Sequence, residues 1–355
     1  MVVDILTLYG GNMAHVLVTG GAGYIGSHTV VELIKNNHSV TIVDNFSNSK
    51  KDVLNRLAKI CGQDIPCYDV DCTDKNSLRN VFSEALDSGN PIDAIIHFAG
   101  FKAVGESVNK PAMYYRNNID SFLTTYELAD EYNVKSFIFS SSATVYGMSE
   151  DVPFNENSPT GICTNPYGWT KWMIEQMIED LSVSNPNMNF ILLRYFNPVG
   201  AHESGIIGED PCGIPNNLFP YISRVANGVL DSLTIFGNDY NTPDGTCLRD
   251  YIHVCDLALG HVKALNYLLS NKCHFDIFNL GTGNAISVTE AVQAYEKACG
   301  HKIPHSYGKR RAGDIAICYA DTTKAKQKLG FVANRDINDM CASSWKWQQF
   351  CDNNI

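Results

Sequence analysis

Long hydrophobic runs and basic residues are scarce in this chain of 355 residues, and each shortage excludes a class of protein. The longest apolar stretches, such as Ala94–Ile96 and Phe190–Leu193, are far shorter than the roughly 18 residues that suggest a membrane span. Lysine and arginine number 27 against 38 acidic residues, which gives a net charge of −11. A chain this acidic lacks the positive surface that binds a phosphate backbone. We therefore expect neither a membrane protein nor a nucleic-acid-binding one.

Metal-binding and secretory patterns are also missing. The 12 cysteines include no CxxC pair and no CxxC…HxxxH spacing, so we expect no metal site and mostly buried, reduced thiols. Residues 1–12 contain Asp4, no basic residue and no clear cleavage site, unlike a signal peptide. We interpret these residues as an N-terminal extension and expect a cytoplasmic protein, with a length that suits two domains.

Short β-branched runs alternate with longer helical patterns from residue 14 onward, which is typical of a parallel sheet covered by helices. We predict an α/β fold with a Rossmann-type doubly wound parallel sheet. The predicted strands are His15–Thr19, Ser39–Asp44, Ile65–Asp69, Ala94–His97, Ser136–Ser140, Phe190–Tyr195 and Phe275–Leu280. The predicted helices are Ser27–Asn36, Asp74–Asp87, Ala112–Glu131, Tyr167–Ser184, Asn217–Asn227, 254–270 and Asp336–Phe350.

The composition changes after Phe196, where residues 197–249 become rich in glycine, proline and asparagine. We predict a dinucleotide-binding domain at 13–197, to which a segment at about 254–282 returns. Residues 198–253 and 283–355 are then expected to form a smaller α/β domain that binds the substrate.

A glycine-rich segment joins the first predicted strand to a helix and contains Gly20, Gly23 and Gly26. Such glycines allow a tight turn and close approach of the backbone to a pyrophosphate, which then meets the free N–H groups of a helix N-terminus. Asp44 ends the second strand, where a carboxylate accepts hydrogen bonds from a ribose 2′-hydroxyl and repels a 2′-phosphate. The pattern predicts a bound dinucleotide and favours NAD over NADP.

A second group of residues indicates proton transfer. Tyr167 and Lys171 are four residues apart, which places them on one face of a helix. Ser142 follows a predicted buried strand, at the carboxyl edge where open α/β sheets bind ligands. A nearby ammonium group and a positively charged nicotinamide lower the pKa of a phenol, as a general base requires. We predict Tyr167 as the base and Ser142 as a hydrogen-bonding partner of the substrate.

Together with Asp71 and Asn117, these residues resemble the extended short-chain dehydrogenase/reductase superfamily. Four further stretches resemble its UDP-hexose 4-epimerase family, and the resemblance covers residues 13 to about 350. These are His97-Phe-Ala-Gly-Phe-Lys-Ala-Val-Gly-Glu-Ser, Leu193-Arg-Tyr-Phe-Asn-Pro-Val-Gly-Ala-His, Gly213-Ile-Pro-Asn-Asn-Leu, and Phe236-Gly-Asn-Asp-Tyr with Arg249-Asp-Tyr-Ile-His.

The resemblance implies two sets of binding residues. The NAD contacts would be Gly20, Gly23, Tyr24, Ile25, Gly26, Asp44, Asn45, Asn48, Ser49, Asp71, Cys72, Phe98, Ala99, Lys102, Asn117, Lys171 and Tyr195. The UDP-hexose contacts would be Ser142, Ala143, Thr144, Tyr167, Tyr195, Phe196, Asn197, Asn216, Asn217, Leu218, Thr234, Ile235, Phe236, Arg249, Arg311, Asp314 and Cys318. In this set Arg249 and Arg311 would fork onto the diphosphate, and Asp314 would bind the uridine ribose.

The resemblance also implies the reaction. Tyr167 would take the proton of the sugar 4-hydroxyl while tightly held NAD accepts a hydride from C4. The resulting 4-keto sugar would turn and take the hydride back, so that UDP-galactose and UDP-glucose interconvert. The small side chain of Cys318 lies where a tyrosine restricts relatives to these two sugars, so we predict activity on UDP-GlcNAc and UDP-GalNAc as well. Relatives dimerise through helices matching Ala112–Glu131 and 173–181, which predicts a homodimer.

Two other interpretations remain open at this point. A nucleotide-sugar dehydratase or decarboxylase of the same superfamily needs an extra carboxylate beside Ser142, whereas this chain has Ala143, Thr144 and Val145 there. A non-catalytic NAD sensor would be expected to have lost Tyr167 or Lys171, and both are present.

Overall fold

The computed structural model describes residues 13–211, 213, 215, 217–270, 273–311 and 313–353. The strands are β1 His15–Thr19, β2 Ser39–Asp44, β3 Cys67–Asp69, β4 Ala94–His97, β5 Ser136–Ser142, β6 Asn189–Tyr195, β7 Asn197–Val199, β8 Leu233–Phe236, β9 Leu248–His253, β10 Phe275–Leu280, β11 Ala285–Ser287, β12 His305–Gly308 and β13 Ile317–Cys318. The helices are α1 Tyr24–Lys35, α2 Asp52–Cys61, α3 Lys75–Asp87, α4 Val104–Asn109, α5 Pro111–Glu131, α6 Pro166–Ser184, α7 Leu218–Ala226, α8 Val254–Leu269, α9 Val288–Cys299 and α10 Ile337–Asn353.

Seven parallel strands form the main sheet in the order β10-β6-β5-β4-β1-β2-β3. The chain builds outward from β1 in one direction and then continues from β4 in the other, so the strand order reverses between β1 and β4. Ligands of open α/β sheets bind beside the carboxyl ends of the strands at this point. The predicted α/β class with a doubly wound parallel sheet is confirmed.

The strands of the main sheet are buried on both faces, which explains their continuous apolar runs. Successive side chains of β1 point to opposite faces. Val16 and Val18 belong to a core that also contains residues of α1 and α8, such as Leu33 and Leu257. Leu17 belongs to the opposite core, with residues of α5 and α6 such as Phe122. Because both faces of the sheet are packed in this way, the positions of the carboxyl ends of its strands, where ligands bind, are fixed.

Smaller sheets lie beyond β6. Strand β9 pairs with β7, β11 and β13, and β8 pairs with β12. Phe219, Ile222, Ile235 and Tyr295 belong to the separate apolar core of this part. Strand β10 returns to the main sheet and pairs with β6 over its whole length. The domain boundaries near residues 197, 253 and 283 stay a prediction.

Several predicted boundaries are wrong. The first helix begins at Tyr24 rather than Ser27, because the chain enters α1 directly from the extended residue Gly23. Strand β3 has three residues rather than five, since Pro66 has no N–H for a ladder hydrogen bond. Strand β5 continues to Ser142. Composition gave no sign of β8 and β9, whereas the capping box of Ser287 and Glu290 marks the start of α9, for which no bounds were predicted.

Two chemical findings accompany the fold. Among the residues described, no helix combines the length and the apolarity that crossing a membrane requires. Eleven cysteines fall within the same residues, and each has a free thiol.

Candidate active site

The glycine loop between β1 and α1 packs closely against the neighbouring backbone only because side chains are missing there. Gly20 has a φ of +70°, and a Cβ on it would lie 2.9 Å from the amide nitrogen of Ala99. A Cβ on Gly26 would lie 2.3 Å from the carbonyl oxygen of Gly20. Gly23 supplies no side-chain cap to α1, so the N–H groups of the first turn are available to a phosphate. The loop therefore fits a dinucleotide pyrophosphate.

Asp44 lies at the end of β2, next to this loop. Its carboxylate accepts hydrogen bonds from the amide of Ala22 at 3.0 Å, the amide of Phe46 at 2.9 Å and the hydroxyl of Ser49 at 2.9 Å. Two carboxylate oxygens have about four lone-pair positions, so Asp44 retains capacity for a ribose hydroxyl while it fixes the glycine turn. This second, structural role was not part of the prediction.

The predicted NAD contacts follow the carboxyl ends of neighbouring parallel strands, so the topology brings them to one edge. They lie after β1 (Gly20, Gly23, Tyr24, Ile25, Gly26), at the end of β2 and just after it (Asp44, Asn45, Asn48, Ser49), after β3 (Asp71, Cys72), after β4 (Phe98, Ala99, Lys102), on α5 (Asn117), on α6 (Lys171) and at the end of β6 (Tyr195). The side chain of Cys72 is buried in the sheet core, so only its backbone is free to face a ligand.

Helix α6 positions the predicted proton-handling pair. The side chain of Asn165 caps the helix by accepting from the amide of Gly168 at 2.9 Å, which fixes Tyr167 in the first turn. One turn later, the ammonium group of Lys171 donates to the main-chain carbonyl of Ser140 at 2.6 Å. It lies 6.0 Å from the centre of the Tyr167 ring and 4.7 Å from that of Phe139. Tyr167, Lys171 and Ser142 therefore meet at the carboxyl end of β5.

Burial controls the acidity of this pair. It raises the pKa of the Tyr167 phenol above its ordinary value, and a hydrogen bond with Ser142 opposes that rise. It lowers the pKa of Lys171 to about 7, and the charge of Glu175 opposes that fall. The expected lowering of the phenol pKa by Lys171 together with a positively charged nicotinamide stays a prediction, since burial is the largest influence on the pKa of Tyr167 in the protein alone.

The predicted diphosphate and ribose contacts also lie together. Arg249, on β9, donates to the carbonyls of Leu248 and Ile315 at 2.9 Å each and lies 3.8 Å from Asp314. Arg311 pairs with the same carboxylate at 2.9 Å and lies 5.2 Å from the centre of the Phe236 ring. Two guanidinium groups thus converge on one carboxylate in an acidic protein. This arrangement is suited to an anion with a neighbouring hydroxyl-bearing ring.

The predicted sugar contacts are near β5 and β13. Cys318 pairs with Arg249 in the strand register and packs, with Ala143, against a cluster that contains Phe196. The hydroxyl of Thr144 is buried without a hydrogen-bond partner among the residues described. A buried hydroxyl is costly to leave unpaired, so this one is available to a polar ligand.

The remaining predicted contacts are on three other segments. Asn197 begins β7, Asn217 and Leu218 begin α7, and Thr234 and Ile235 lie on β8. Asn216 lies outside the described residues.

Glu209 was missed by the sequence reasoning although it connects the two predicted ligand sites. Its carboxylate accepts from Lys102 at 3.0 Å and from Asn217 at 3.0 Å. A carboxylate in a glycine-rich loop carries no signal of its own. Only the fold brings it between a predicted NAD contact and a predicted sugar contact.

Comparison with known proteins gives consistent matches along the chain. The family described as GDP-mannose 4,6 dehydratase matches residues 17–344. A UDP-glucose 4-epimerase of Bacillus subtilis is 53% identical over 94% of this chain and 96% of its own. A second UDP-glucose 4-epimerase, from Caenorhabditis elegans, is 50% identical over 94% of this chain and 97% of its own. The crystal structure of UDP-glucose 4-epimerase from Bifidobacterium longum in complex with NAD+ and UDP has a TM-score of 0.91 at 51% identity, covering 96% of this chain and all of that one.

The chain belongs to the NAD-dependent epimerase/dehydratase family of extended short-chain dehydrogenases/reductases. Within this family it falls among the UDP-glucose 4-epimerases, which are NAD-dependent isomerases. The predicted family, isomerase class and NAD cofactor are confirmed.

Proposed function

We propose that the chain interconverts UDP-galactose and UDP-glucose with an NAD that stays bound between turnovers. The observation that carries the proposal is the meeting of Tyr167, Ser142 and Lys171 at the carboxyl end of β5. They lie on the edge of the sheet that also carries the glycine loop and Asp44. A proton-handling group, a dinucleotide loop and an anion-binding arginine pair are the parts that a redox step on a nucleotide-sugar needs.

The glycine loop, the first turn of α1 and Asp44 would hold NAD. When bound, NAD supplies a reversible hydride acceptor for C4 of the sugar. The chain's own residues handle the proton that accompanies this hydride. Tyr167 takes the proton from the 4-hydroxyl and later returns it, and Ser142 hydrogen-bonds the same oxygen. Lys171 adds positive charge near the phenol, which favours its ionised form.

Arg249 and Arg311 would anchor the diphosphate, remote from the reacting carbon. Binding energy placed there allows the sugar itself to be held loosely. A 4-keto sugar with few strong contacts of its own turns about its bond to the diphosphate and presents its other face. No net oxidation takes place, so the cofactor need not be exchanged.

The residues beside Ser142 favour epimerisation over dehydration or decarboxylation. Ala143, Thr144 and Val145 follow Ser142 in a single 3₁₀ turn, and none of them has a carboxylate that could act as a further acid or base. A UDP-galactose labelled with deuterium at C4 tests this directly. We expect the UDP-glucose formed to retain deuterium at C4. Loss of deuterium to water would contradict a hydride that leaves and returns.

Cys318 supports a broader sugar range. Its side chain is small and contacts the cluster of Ala143 and Phe196, both of which we propose as sugar contacts. An acetamido group needs space that a tyrosine side chain would fill. We therefore propose that the chain also interconverts UDP-GlcNAc and UDP-GalNAc.

We further propose that the chain forms a homodimer through α5 and α6. Much of their apolar surface, including Phe122, Leu128, Ile174 and Ile178, already packs on the main sheet, so a dimer would use the outer faces of these helices. Sedimentation velocity tests the proposal: a species of twice the chain mass is expected, and a monomer at micromolar concentration would contradict it.

A further inference from the structure

A buried ion pair lies beneath the proposed active site. Glu175, on α6, receives two hydrogen bonds from Arg194 on β6, at 3.0 Å and 2.7 Å. The side chains are only 2% and 4% exposed. Burying two charges costs free energy that their attraction often only balances, and apolar replacements of similar size are frequently as stable. Stability alone therefore does not account for this pair.

The pair contacts the strand that carries the proton-handling residues. The hydroxyl of Ser141 donates a hydrogen bond to Glu175. Ser141 lies between Ser140, whose carbonyl accepts from Lys171, and Ser142, which hydrogen-bonds Tyr167. Glu175 is one helical turn after Lys171, so the two groups hold adjacent residues of β5, Ser141 and Ser140, from the same helix.

Arg194 extends this network toward the sugar pocket. It donates to the hydroxyl of Tyr146 at 3.2 Å, and Tyr146 donates to Asn279 at 2.7 Å. Asn279 in turn donates to the carbonyl of Phe154 at 2.8 Å. The amide of Phe154 donates to Tyr319, the residue after Cys318, at 2.9 Å. The pair is thus joined by hydrogen bonds to both halves of the proposed site.

The negative charge of Glu175 acts on the ammonium group of Lys171 across one helical turn and opposes the fall of its pKa. His97, at the end of β4, is buried and neutral, because burial lowers its pKa to about 3. Loss of solvent contact raises the pKa of the Tyr167 and Tyr195 phenols, so neither is a ready counter-charge. Among the groups described around Lys171, Glu175 therefore has the clearest stabilising effect on its charged form.

We propose that Glu175 is a positioning residue of the reaction, which keeps Lys171 charged and fixed beneath Tyr167, and that Arg194 holds Glu175 in place for this task. The proposal rests on the function proposed above. Its first consequence concerns the protonation of Lys171, which does not depend on the substrate that the chain converts. Without the charge of Glu175, the buried ammonium group loses its stabilising partner and releases its proton at lower pH. Its second consequence concerns the alkaline loss of activity. Turnover should be lost at a less alkaline pH than in the parent protein, since Tyr167 lacks a neighbouring cation once Lys171 has released its proton.

Glu175→Gln removes the charge with little change of shape, and Glu179→Gln is the matched control. Glu179 lies one turn further along α6 and is exposed. The protein labelled with ¹⁵N-lysine is titrated by NMR, and the Lys171 signal is assigned by its loss in Lys171→Met. We expect the Lys171 titration and the alkaline limb of kcat to move down by about one pH unit or more in Glu175→Gln, and neither to move in Glu179→Gln. UDP binding should stay unchanged.

Glu175→Gln leaves Arg194 buried and unpaired, which by itself can prevent folding. The double variant Glu175→Met with Arg194→Met removes both charges and preserves the volume, so it carries the test if the single variant does not fold. We expect a downward shift of the Lys171 titration there too, smaller than in Glu175→Gln because the positive charge of Arg194 is removed as well. An unchanged Lys171 titration in either folded variant would overturn the proposal. Failure of the parent protein to convert UDP-galactose would instead contradict the proposed function, and the NMR titration would still be readable.

Discussion

The ammonium group of Lys171 lies 2.6 Å from the main-chain carbonyl oxygen of Ser140. This contact ties the middle of α6 to the end of β5, two residues before Ser142. The end of β5 therefore determines the position of the Lys171 ammonium group and of the Ser142 hydroxyl, which hydrogen-bonds Tyr167. Backbone geometry, more than direct contact between side chains, brings the three groups of the proposed proton-transfer site together.

Replacing the proposed base should stop chemistry without preventing binding. In Tyr167→Phe, the phenol that exchanges the proton of the 4-hydroxyl is lost while the ring that packs in the first turn of α6 remains. We expect kcat for UDP-galactose to fall roughly 10²- to 10⁴-fold, with UDP affinity by calorimetry unchanged. Undiminished turnover would exclude Tyr167 as the base.

The size of residue 318 should decide the range of sugars. Cys318→Tyr would fill the space beside Ala143 and Phe196 that an acetamido group requires. We expect conversion of UDP-GlcNAc to be abolished and conversion of UDP-galactose to persist, with both products separated by chromatography. Absence of N-acetyl sugar turnover in the unmodified protein would show that the proposed breadth is wrong.

Arg249 should contribute affinity for the diphosphate. Arg249→Lys keeps a positive charge but loses the planar fork that also donates to Ile315. We expect UDP to bind about 10-fold more weakly or worse in calorimetry. The matched control is Arg310→Lys, since Arg310 pairs with the exposed Asp239. Equal losses in both variants would contradict a specific contact between the Arg249 guanidinium group and the diphosphate.

Two buried histidines should make the protein sensitive to acid. Burial lowers the pKa of His28 and of His253 to about 3, below the value of about 6.5 expected in the unfolded chain. The unfolded state therefore binds more protons as the pH falls below 6.5, and stability decreases from there toward pH 3. Each histidine should reduce the free energy of unfolding by about 2 kcal/mol at pH 5 relative to pH 8.

Urea unfolding at both pH values tests this account. We expect the loss between pH 8 and pH 5 to be smaller in His28→Gln than in the parent protein. His305→Gln is the control, because His305 is exposed on β12. The idea fails if His28→Gln and the parent lose the same free energy.

The sheet was predictable from the sequence because its strands are buried on both faces and read as continuous apolar runs. The glycine loop, Asp44 and the Tyr167–Lys171 spacing were likewise readable, since each requires particular residue types at fixed distances along the chain. Strands β8 and β9 were missed because they are short, lie within a segment rich in turn-forming residues and lack a continuous apolar run, as Arg249 and Asp250 show in β9. Glu175 and Glu209 act through partners far apart in sequence, as in the separation of 107 positions from Lys102 to Glu209. Only the folded chain shows such partners.

The most direct test of the account uses the purified protein and UDP-galactose alone. No nucleotide is added, and the products are separated by chromatography. We predict conversion to a mixture with UDP-glucose, because the proposed NAD stays bound and is regenerated in each turnover. Absence of UDP-glucose, both without and with added NAD, would contradict the proposed epimerase function while leaving the fold as described.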